Sequence, residues 1–286
     1  MNHGLATGVE PPADRPPPAR TALSTRRRLD AELVRRGLVP SREQAHRRVT
    51  EGRVLVGGAP ADKPSRLVAA GEPVEVLGPP PRFVGRGGEK LDAALDRFAV
   101  PVAGRAALDA GASTGGFTDC LLQRGAASVL AVDVGTGQLH ERLRADPRVT
   151  VLDRTNVRSL VLGEPVALVV ADLSFISLRV VVPALLGPNA EPGADAVVLV
   201  KPQFEAGRAE ASKGRGVVRD PGVWRRVLEE VRSAIEGCGA AMMGAMVSPL
   251  TGADGNVEFL LHARAHHGGP VAPVDLDAVV AAAQDR

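Results

Sequence analysis

Between Ala106 and Leu122 the chain reads AALDAGASTGGFTDCLL, and this stretch limits the fold more than any other. An apolar run ending at Asp109 predicts a buried strand, a Gly-rich bend runs from Gly111 to Gly116, and Phe117 to Leu122 opens a helix. Strand, tight turn and helix N-terminus in that order belong to an α/β layer. Such a turn brings backbone N–H groups and the positive end of a helix dipole close to a ligand, which suits a nucleotide-like molecule with an anionic group.

The ligand follows by elimination. Gly111-x4-Gly116 has the spacing of a phosphate-binding loop, but Phe117 stands where the Lys would be, and Ser113 occupies the second Gly position of G-x-G-x-x-G. The next apolar run, Ser128 to Val132, ends at Asp133. An acid at the end of the second strand, about 20 residues past the first, is placed to grip ribose hydroxyls. Together these features favour S-adenosylmethionine, with adenosine on Asp133 and the amino-acid end at the Gly-rich turn. A turn that binds nothing is the competing reading. A β-branched side chain at Gly115 or Gly116 is expected to fill space that the backbone shares with the ligand.

The 286 residues allow one large and one small domain, and 44% hydrophobic residues supply a core. The net charge of +2 is unevenly spread: Arg20 to Arg66 holds 12 Lys/Arg against 5 Asp/Glu. A basic module joined to a mildly acidic remainder points to a polyanionic partner, although a solvated basic face would have the same composition. Cys120 and Cys238 are too few for a disulfide framework and lack metal-site spacing, so no metal is expected and a reducing, cytoplasmic setting fits. The N-terminus has no apolar signal segment, and the most apolar stretch, Val166 to Leu186, is broken by Asp172 and Arg179. No membrane association is expected; the oligomeric state is not encoded in any visible pattern.

In chain order, residues 1–25 form a Pro-rich tail expected to be disordered. Two short helices follow, with Leu29, Leu33 and Val34 at helical spacing in the first and Ser41 capping the second; short strands are expected at Arg53 to Val56 and Pro73 to Leu77. The order of residues from Arg26 to Leu77, including Asp30, Ser41, Ala45 and Gly52, resembles the αL RNA-binding motif, an S-four-like domain assigned to residues 26–78. That resemblance implies that Arg26, Arg27, Arg28, Arg35, Arg36, Arg42, Arg47 and Arg48 line an RNA backbone, an electrostatic mode without sequence readout. Residues 79–85 read as a stiff linker. Within it, Phe83 is either a docking contact or a contact to cofactor or nucleotide. A helix begins near Lys90, and strands are expected at Val149 to Leu152, Val166 to Ala171, Ala196 to Val200, Ala241 to Val247 and Val257 to Leu261. With Arg219 to Glu236 the longest helix and Asp275 to Gln284 a terminal one, residues 86–286 read as a doubly wound sheet with ligands at the C-terminal strand ends.

Asp172 and Lys201 each follow an apolar strand, Glu258 lies early in the last one, and Lys90 comes from the preceding helix. A charge placed there is costly unless it faces a cleft or a partner; ending each strand at the surface is the bland alternative. The motifs RGGEKL, DAGASTGGFTD, VDVG, RTN, ADLSFIS, VKPQFE, GVVRDP and SPLTGADGNVEF occur in this order. From Arg26 to Leu261 they resemble the TlyA family of S-adenosylmethionine-dependent ribosomal RNA 2′-O-ribose methyltransferases, whose catalytic domain is similar to the FtsJ/RrmJ group.

The resemblance implies a class I Rossmann-like methyltransferase domain, ribosomal RNA or ribosomal subunits as partner, and 2′-O-methylation of ribose, of cytidine, in small- or large-subunit RNA. It carries a catalytic Lys-Asp-Lys-Glu set onto Lys90, Asp172, Lys201 and Glu258. It also carries the cofactor site onto Asp109, Gly111, Ala112, Ser113, Thr114, Gly115, Gly116, Phe117, Asp133 and Val134, with Arg86 added to the RNA surface. A ribose hydroxyl is a poor nucleophile and a sulfonium methyl a strong electrophile, so the protein must align the two and help remove a proton. Lys201 is assigned as base, with Lys90 the alternative; Lys90 and Glu258 orient the ribose, and Asp172 lies near the methyl and the lysines. A membrane-active haemolysin, a name historically attached to this family, finds no long apolar span here; a non-catalytic RNA-binding protein would not need the four charged residues. A base N-methyltransferase would carry an Asn/Asp-Pro-Pro-Tyr/Phe motif where this chain has Asp172-Leu-Ser-Phe175.

Overall fold

The computed structural model describes Met1 and residues 26–285, apart from residues 40, 80, 208–209, 211–213, 215, 253–254 and 267. The expected disordered tail therefore lies, beyond Met1, outside the described residues. Helices α1 (Leu29–Arg35) and α2 (Arg42–Thr50) pack on a small sheet in which β2 (Val54–Val56) pairs with both β3 (Ala59–Pro60) and β5 (Val74–Val76). The two-residue strands β1 (Arg27–Arg28) and β4 (Leu67–Val68) form a second, separate pair. The Ser41 hydroxyl accepts from the Gln44 N–H and caps α2, satisfying one of the open donors of its first turn. Leu29, Leu33, Ala45, Val49, Val54, Val56 and Val68 close a core of their own.

The second region is built on seven strands: β6 (Ala106–Ala110), β7 (Ser128–Val132), β8 (Val149–Leu152), β9 (Val166–Ala171), β10 (Ala190–Val200), β11 (Ala241–Val247) and β12 (Phe259–Arg264). Their order is β11-β12-β10-β9-β6-β7-β8, and all pairings are parallel except those of β12 with β10 and with β11. Both faces are covered, which explains why the central strands read as unbroken apolar runs. Leu108, Ala110, Val169, Val198 and Val200 meet α6 (Leu178–Leu186), α8 (Pro221–Gly237) and α9 (Leu276–Gln284) on one face. Ala107, Val170, Val197 and Leu199 meet α3 (Gly87–Arg97) and α4 (Gly116–Gln123) on the other. Short helices α5 (Glu141–Arg144) and α7 (Pro202–Glu205) lie between strands.

Strand alternation with helices fixes a mostly parallel sheet, as the sequence predicts, but the direction of the last strand carries the functional consequence. Phe259 pairs with Val200, so the antiparallel β12 begins at the edge where β10 ends. Glu258 is thereby delivered beside Lys201 from the opposite chain direction.

The two regions are joined through the segment around Phe83. Gln44 donates to the Phe83 carbonyl at 3.0 Å, Arg48 donates to the Pro79 carbonyl at 2.7 Å, and Arg47 pairs with Glu89 of α3 at 3.5 Å. Phe83 itself is buried in the core beneath α3, so of its two expected roles the docking contact is the one seen.

Candidate active site

Four loops converge at the C-terminal edge of the sheet: Gly85–Lys90 entering α3, Gly111–Phe117 between β6 and α4, Asp172–Ser174 after β9, and Lys201 after β10, with Thr251, Gly252 and Glu258 closing the far wall. Glycine permits the first two to interlock. A Cβ on Gly116 would lie 2.9 Å from the Gly88 nitrogen, so the first turn of α4 touches the first turn of α3 backbone to backbone. Gly115, at φ 100°, is the N-cap of α4, and a Cβ there would lie 2.3 Å from Leu143 Cδ1. At both positions the added atoms would strike the protein's own packing.

The charged residues fall into two pairs along one cleft. Lys90 Nζ donates to Glu258 Oε2, and both residues are buried. Lys201 Nζ lies 2.5 Å from Asp172 Oδ1 and donates to the Ser174 hydroxyl at 3.0 Å. Each ammonium thus enters the cleft with its own carboxylate, which answers the desolvation cost of placing it there.

A second cleft adjoins the first and shares Gly111, Ser113, Asp172 and Ser174 with it. Its walls are mostly apolar, from Val132, Val134, Val157, Leu173, Phe175 and Ile176, with Asp133, Gln138, Thr155 and Asn156 among them. The Asp133 carboxylate accepts from the Ser113 N–H at 2.8 Å and from the Gly135 N–H at 2.7 Å, and each oxygen has capacity for a further donor. An apolar slot with an acid at its side, opening into a charged cleft beside a glycine turn, has the chemistry to take a nucleoside joined to a zwitterionic tail.

The sequence comparisons agree with this arrangement. The FtsJ-like methyltransferase family matches residues 83–265, and the S4 domain matches residues 27–74. The chain is 51% identical over 246 residues to the 16S/23S rRNA (cytidine-2'-O)-methyltransferase TlyA of Mycobacterium tuberculosis, covering 85% of this chain and 91% of that protein. The chain belongs to the FtsJ-like methyltransferase family. It is also 37% identical to Hemolysin A of Brachyspira hyodysenteriae, over 82% of this chain and 98% of that one. A solved structure named as a hemolysin, from Streptococcus thermophilus, superposes with a TM-score of 0.72 at 38% identity, over 92% of this chain and 97% of that chain.

Within this FtsJ-like site, Gly111, Ala112, Ser113, Thr114, Gly116 and Phe117 line the charged cleft, while Asp133 and Val134 line the apolar one. Asp109 lines neither: its side chain is wholly buried and accepts from the Thr118 hydroxyl at 2.6 Å. Burial pushes its carboxyl up to about 7, the Thr118 bond opposes this, and the nearby carboxylates of Asp172 and Asp133 add to it. Sequence reasoning missed Ser174, Thr251 and Gly252, although all three sit inside motifs that it singled out, ADLSFIS and SPLTGADGNVEF.

The expected RNA-facing arginines divide by partner. Arg26 and Arg27 are exposed, and exposed Arg28 and Arg42 both reach Asp30. Arg35 and Arg36 share buried Glu32. Arg36 also donates to the carbonyls of Glu72, Ala69 and Ala70, and buried Arg48 holds Pro79, so these two serve the fold. Arg47 bridges to α3, and Arg86 lines the charged cleft and donates to the Thr251 carbonyl at 3.0 Å.

Proposed function

We propose that this chain transfers a methyl group from S-adenosylmethionine to the 2′-oxygen of a ribose, that of a cytidine, in ribosomal RNA of the small or large subunit. The observation that carries this reading is the pairing of Lys90 with Glu258 and of Lys201 with Asp172 along one cleft beside the glycine turn. The identity to a relative named for cytidine-2'-O-methylation of 16S and 23S rRNA, and the S4 match at residues 27–74, support it.

S-adenosylmethionine supplies an electrophilic methyl when bound. Asp133 would accept from its ribose hydroxyls, and the turn from Gly111 to Phe117 would hold its amino-acid end. Lys90 and Glu258 offer a donor and an acceptor to the substrate ribose and set the angle at which the 2′-oxygen approaches. Lys201, once its ammonium has released a proton to water, takes the hydroxyl proton on Nζ, and Asp172 and Ser174 hold that nitrogen in place. Asp172-Leu-Ser-Phe175 stands where an amine-methylating site would present its Pro-rich motif, so oxygen is the acceptor. The haemolysin name of one relative has no counterpart in a membrane-spanning helix: among the described residues none is long and apolar enough to cross a bilayer.

The test is methyl transfer to ribosomal subunits, followed by mapping of the modified nucleotide. An otherwise identical RNA with a 2′-deoxy sugar at that nucleotide should receive no methyl; transfer to it would move the acceptor from ribose to base and overturn the reading.

A further inference from the structure

Lys201 sits at the start of a helix too short to hold itself. As N-cap of the four-residue α7 it takes its direction from that single turn, and a lone turn fixes several dihedral angles for very few hydrogen bonds. Some other contact must hold α7, and the last residue of the turn makes it. Glu205 is 3% exposed. Its Oε2 accepts from the Ser177 hydroxyl at 2.5 Å and its Oε1 from the Leu178 N–H at 2.7 Å, so the carboxylate sits on the first turn of α6. Arg179 closes the contact from outside, donating to the Glu205 carbonyl at 3.1 Å while its Nε stands 3.7 Å from Oε2.

The tie joins two loops that each carry half of an active pair. Asp172 and Ser174 lie on the loop that ends at Ser177, and Lys201 lies on the turn that ends at Glu205. Between these ends Phe175 packs its ring on Phe204, with centroids 5.0 Å apart. Burial pushes the Glu205 carboxyl upward, and the bonds from Ser177 and Leu178 with the charge of Arg179 offset this. A buried carboxylate that touches neither described cleft is costly to keep, and its two bonds both go to the neighbouring loop.

We propose that Glu205 is a positioning residue: by fastening α7 to the first turn of α6 it fixes the distance at which Lys201 meets Asp172 and the acceptor hydroxyl. The proposal rests on the function given above, in which Lys201 acts on the substrate proton. Misplacement of a catalytic group by about 1 Å can cost on the order of 100-fold in rate, so the effect should appear in the chemical step and not in cofactor affinity.

The test is a double-mutant cycle on the full chain with Glu205→Ala, Lys201→Ala and both together. Single-turnover methyl transfer is measured on ribosomal subunits that lack the modification, and S-adenosylmethionine binding by calorimetry. Glu205→Ala should slow transfer by about 10- to 100-fold, leave the cofactor Kd within about threefold, and add less than about threefold once Lys201 is already Ala. Glu205→Gln keeps an acceptor for Leu178 and should recover most of the rate. If Glu205→Ala is unimpaired while Lys201→Ala is slow, or if it costs as much without Lys201 as with it, the role of Glu205 is overturned and the function stands. If the wild-type chain methylates no RNA the functional reading falls, and if Lys201→Ala keeps full rate the assignment of Lys201 as base falls while the function stands; either result takes this inference with it. Should Glu205→Ala melt below the assay temperature, Ser177→Ala runs the same cycle, removing one of the two bonds for an expected loss of about threefold or more; no loss overturns the proposal.

Discussion

The N-terminal module and the sheet domain use the same ion-pair chemistry in opposite ways. In the module the two acids that gather arginines are buried and most of their partners exposed: Asp30 holds Arg28 and Arg42, Glu32 holds Arg35 and Arg36, and both carboxyls are lowered to about 2, chiefly by the hydrogen bonds from Arg28 and from Arg35 respectively. Three of these four guanidiniums are thus anchored at one end and left facing water, where a phosphate backbone can reach them. In the sheet domain both members of each pair line a cleft, Lys90 with Glu258 and Lys201 with Asp172, where they can act only on something that enters. Exposed pairs suit affinity and enclosed pairs suit chemistry, so the comparison is testable by what each residue's loss does.

The largest effect should come from the enclosed pairs. Lys201→Ala should lower methyl transfer by about 10²- to 10⁴-fold, the range of general acid–base assistance, and Lys90→Ala should lower it severely through lost alignment of the ribose, while calorimetry finds S-adenosylmethionine affinity nearly unchanged in both. Equal losses in rate and cofactor affinity would assign the lysines to the cofactor and break the division of roles.

How much of this contrast the sequence discloses depends on distance along the chain. The strand-turn-helix at Ala106 to Leu122 and the alternation after it are local patterns, and the structure has those elements within a few residues of the expected ends, except that β10 starts at Ala190, six residues before the expected Ala196. The four charged site residues stand out because each follows or opens an apolar run. Their partners do not: that Glu258 meets Lys90 depends on β12 running antiparallel, which no local period encodes. The strands β1, β3 and β4 are two residues long, too short to show a period of two. Arginine spacing likewise cannot separate Arg27, which is exposed, from Arg36, whose guanidinium is spent on backbone carbonyls more than 30 residues away.

The next largest effect concerns pH, and the two regions should respond with opposite sign. In the module the folded carboxyls of Asp30 and Glu32 lie below their unfolded values, so their stabilisation is present above about pH 4 and is lost as pH falls toward about 2. In the sheet domain Asp109 is raised to about 7, so between about pH 4 and pH 7 the folded state binds more protons and stability falls as pH rises. A shift of this size corresponds to at most about 4 kcal/mol. Asp109→Asn, which keeps an acceptor for Thr118, should remove that slope in denaturant titrations from pH 4 to pH 8; an unchanged slope would mean that another group carries it.

A smaller effect separates arginines within the module. Arg36→Ala leaves the carbonyls of Ala69, Ala70 and Glu72 without this donor and takes one partner from Glu32, so it should destabilise the module by about 2 kcal/mol in chemical denaturation. RNA affinity of the folded fraction should change little. If stability is untouched and RNA binding collapses, Arg36 belongs with the outward-facing set.

Arg27→Ala should do the reverse and is the finest test of the comparison. Arg27 is exposed and lies on β1, whose pairing with β4 at Val68 is made by backbone groups, so losing the side chain leaves the fold its hydrogen bonds and its core. A surface substitution of this kind typically shifts stability by no more than about 0.5 kcal/mol. If the guanidinium meets a phosphate, its loss removes one counterion-releasing contact, and the slope of log K against log salt for RNA binding should shrink by about 1. The weakening should be the same for RNAs of different sequence, because a phosphate contact reads no base. Methyl transfer at saturating RNA should stay at the wild-type rate, since the lost contact acts before the chemical step. A rate loss that persists at saturation would place Arg27 in the alignment of the substrate, and the separation of affinity from chemistry between the two regions would then fail at its outermost residue.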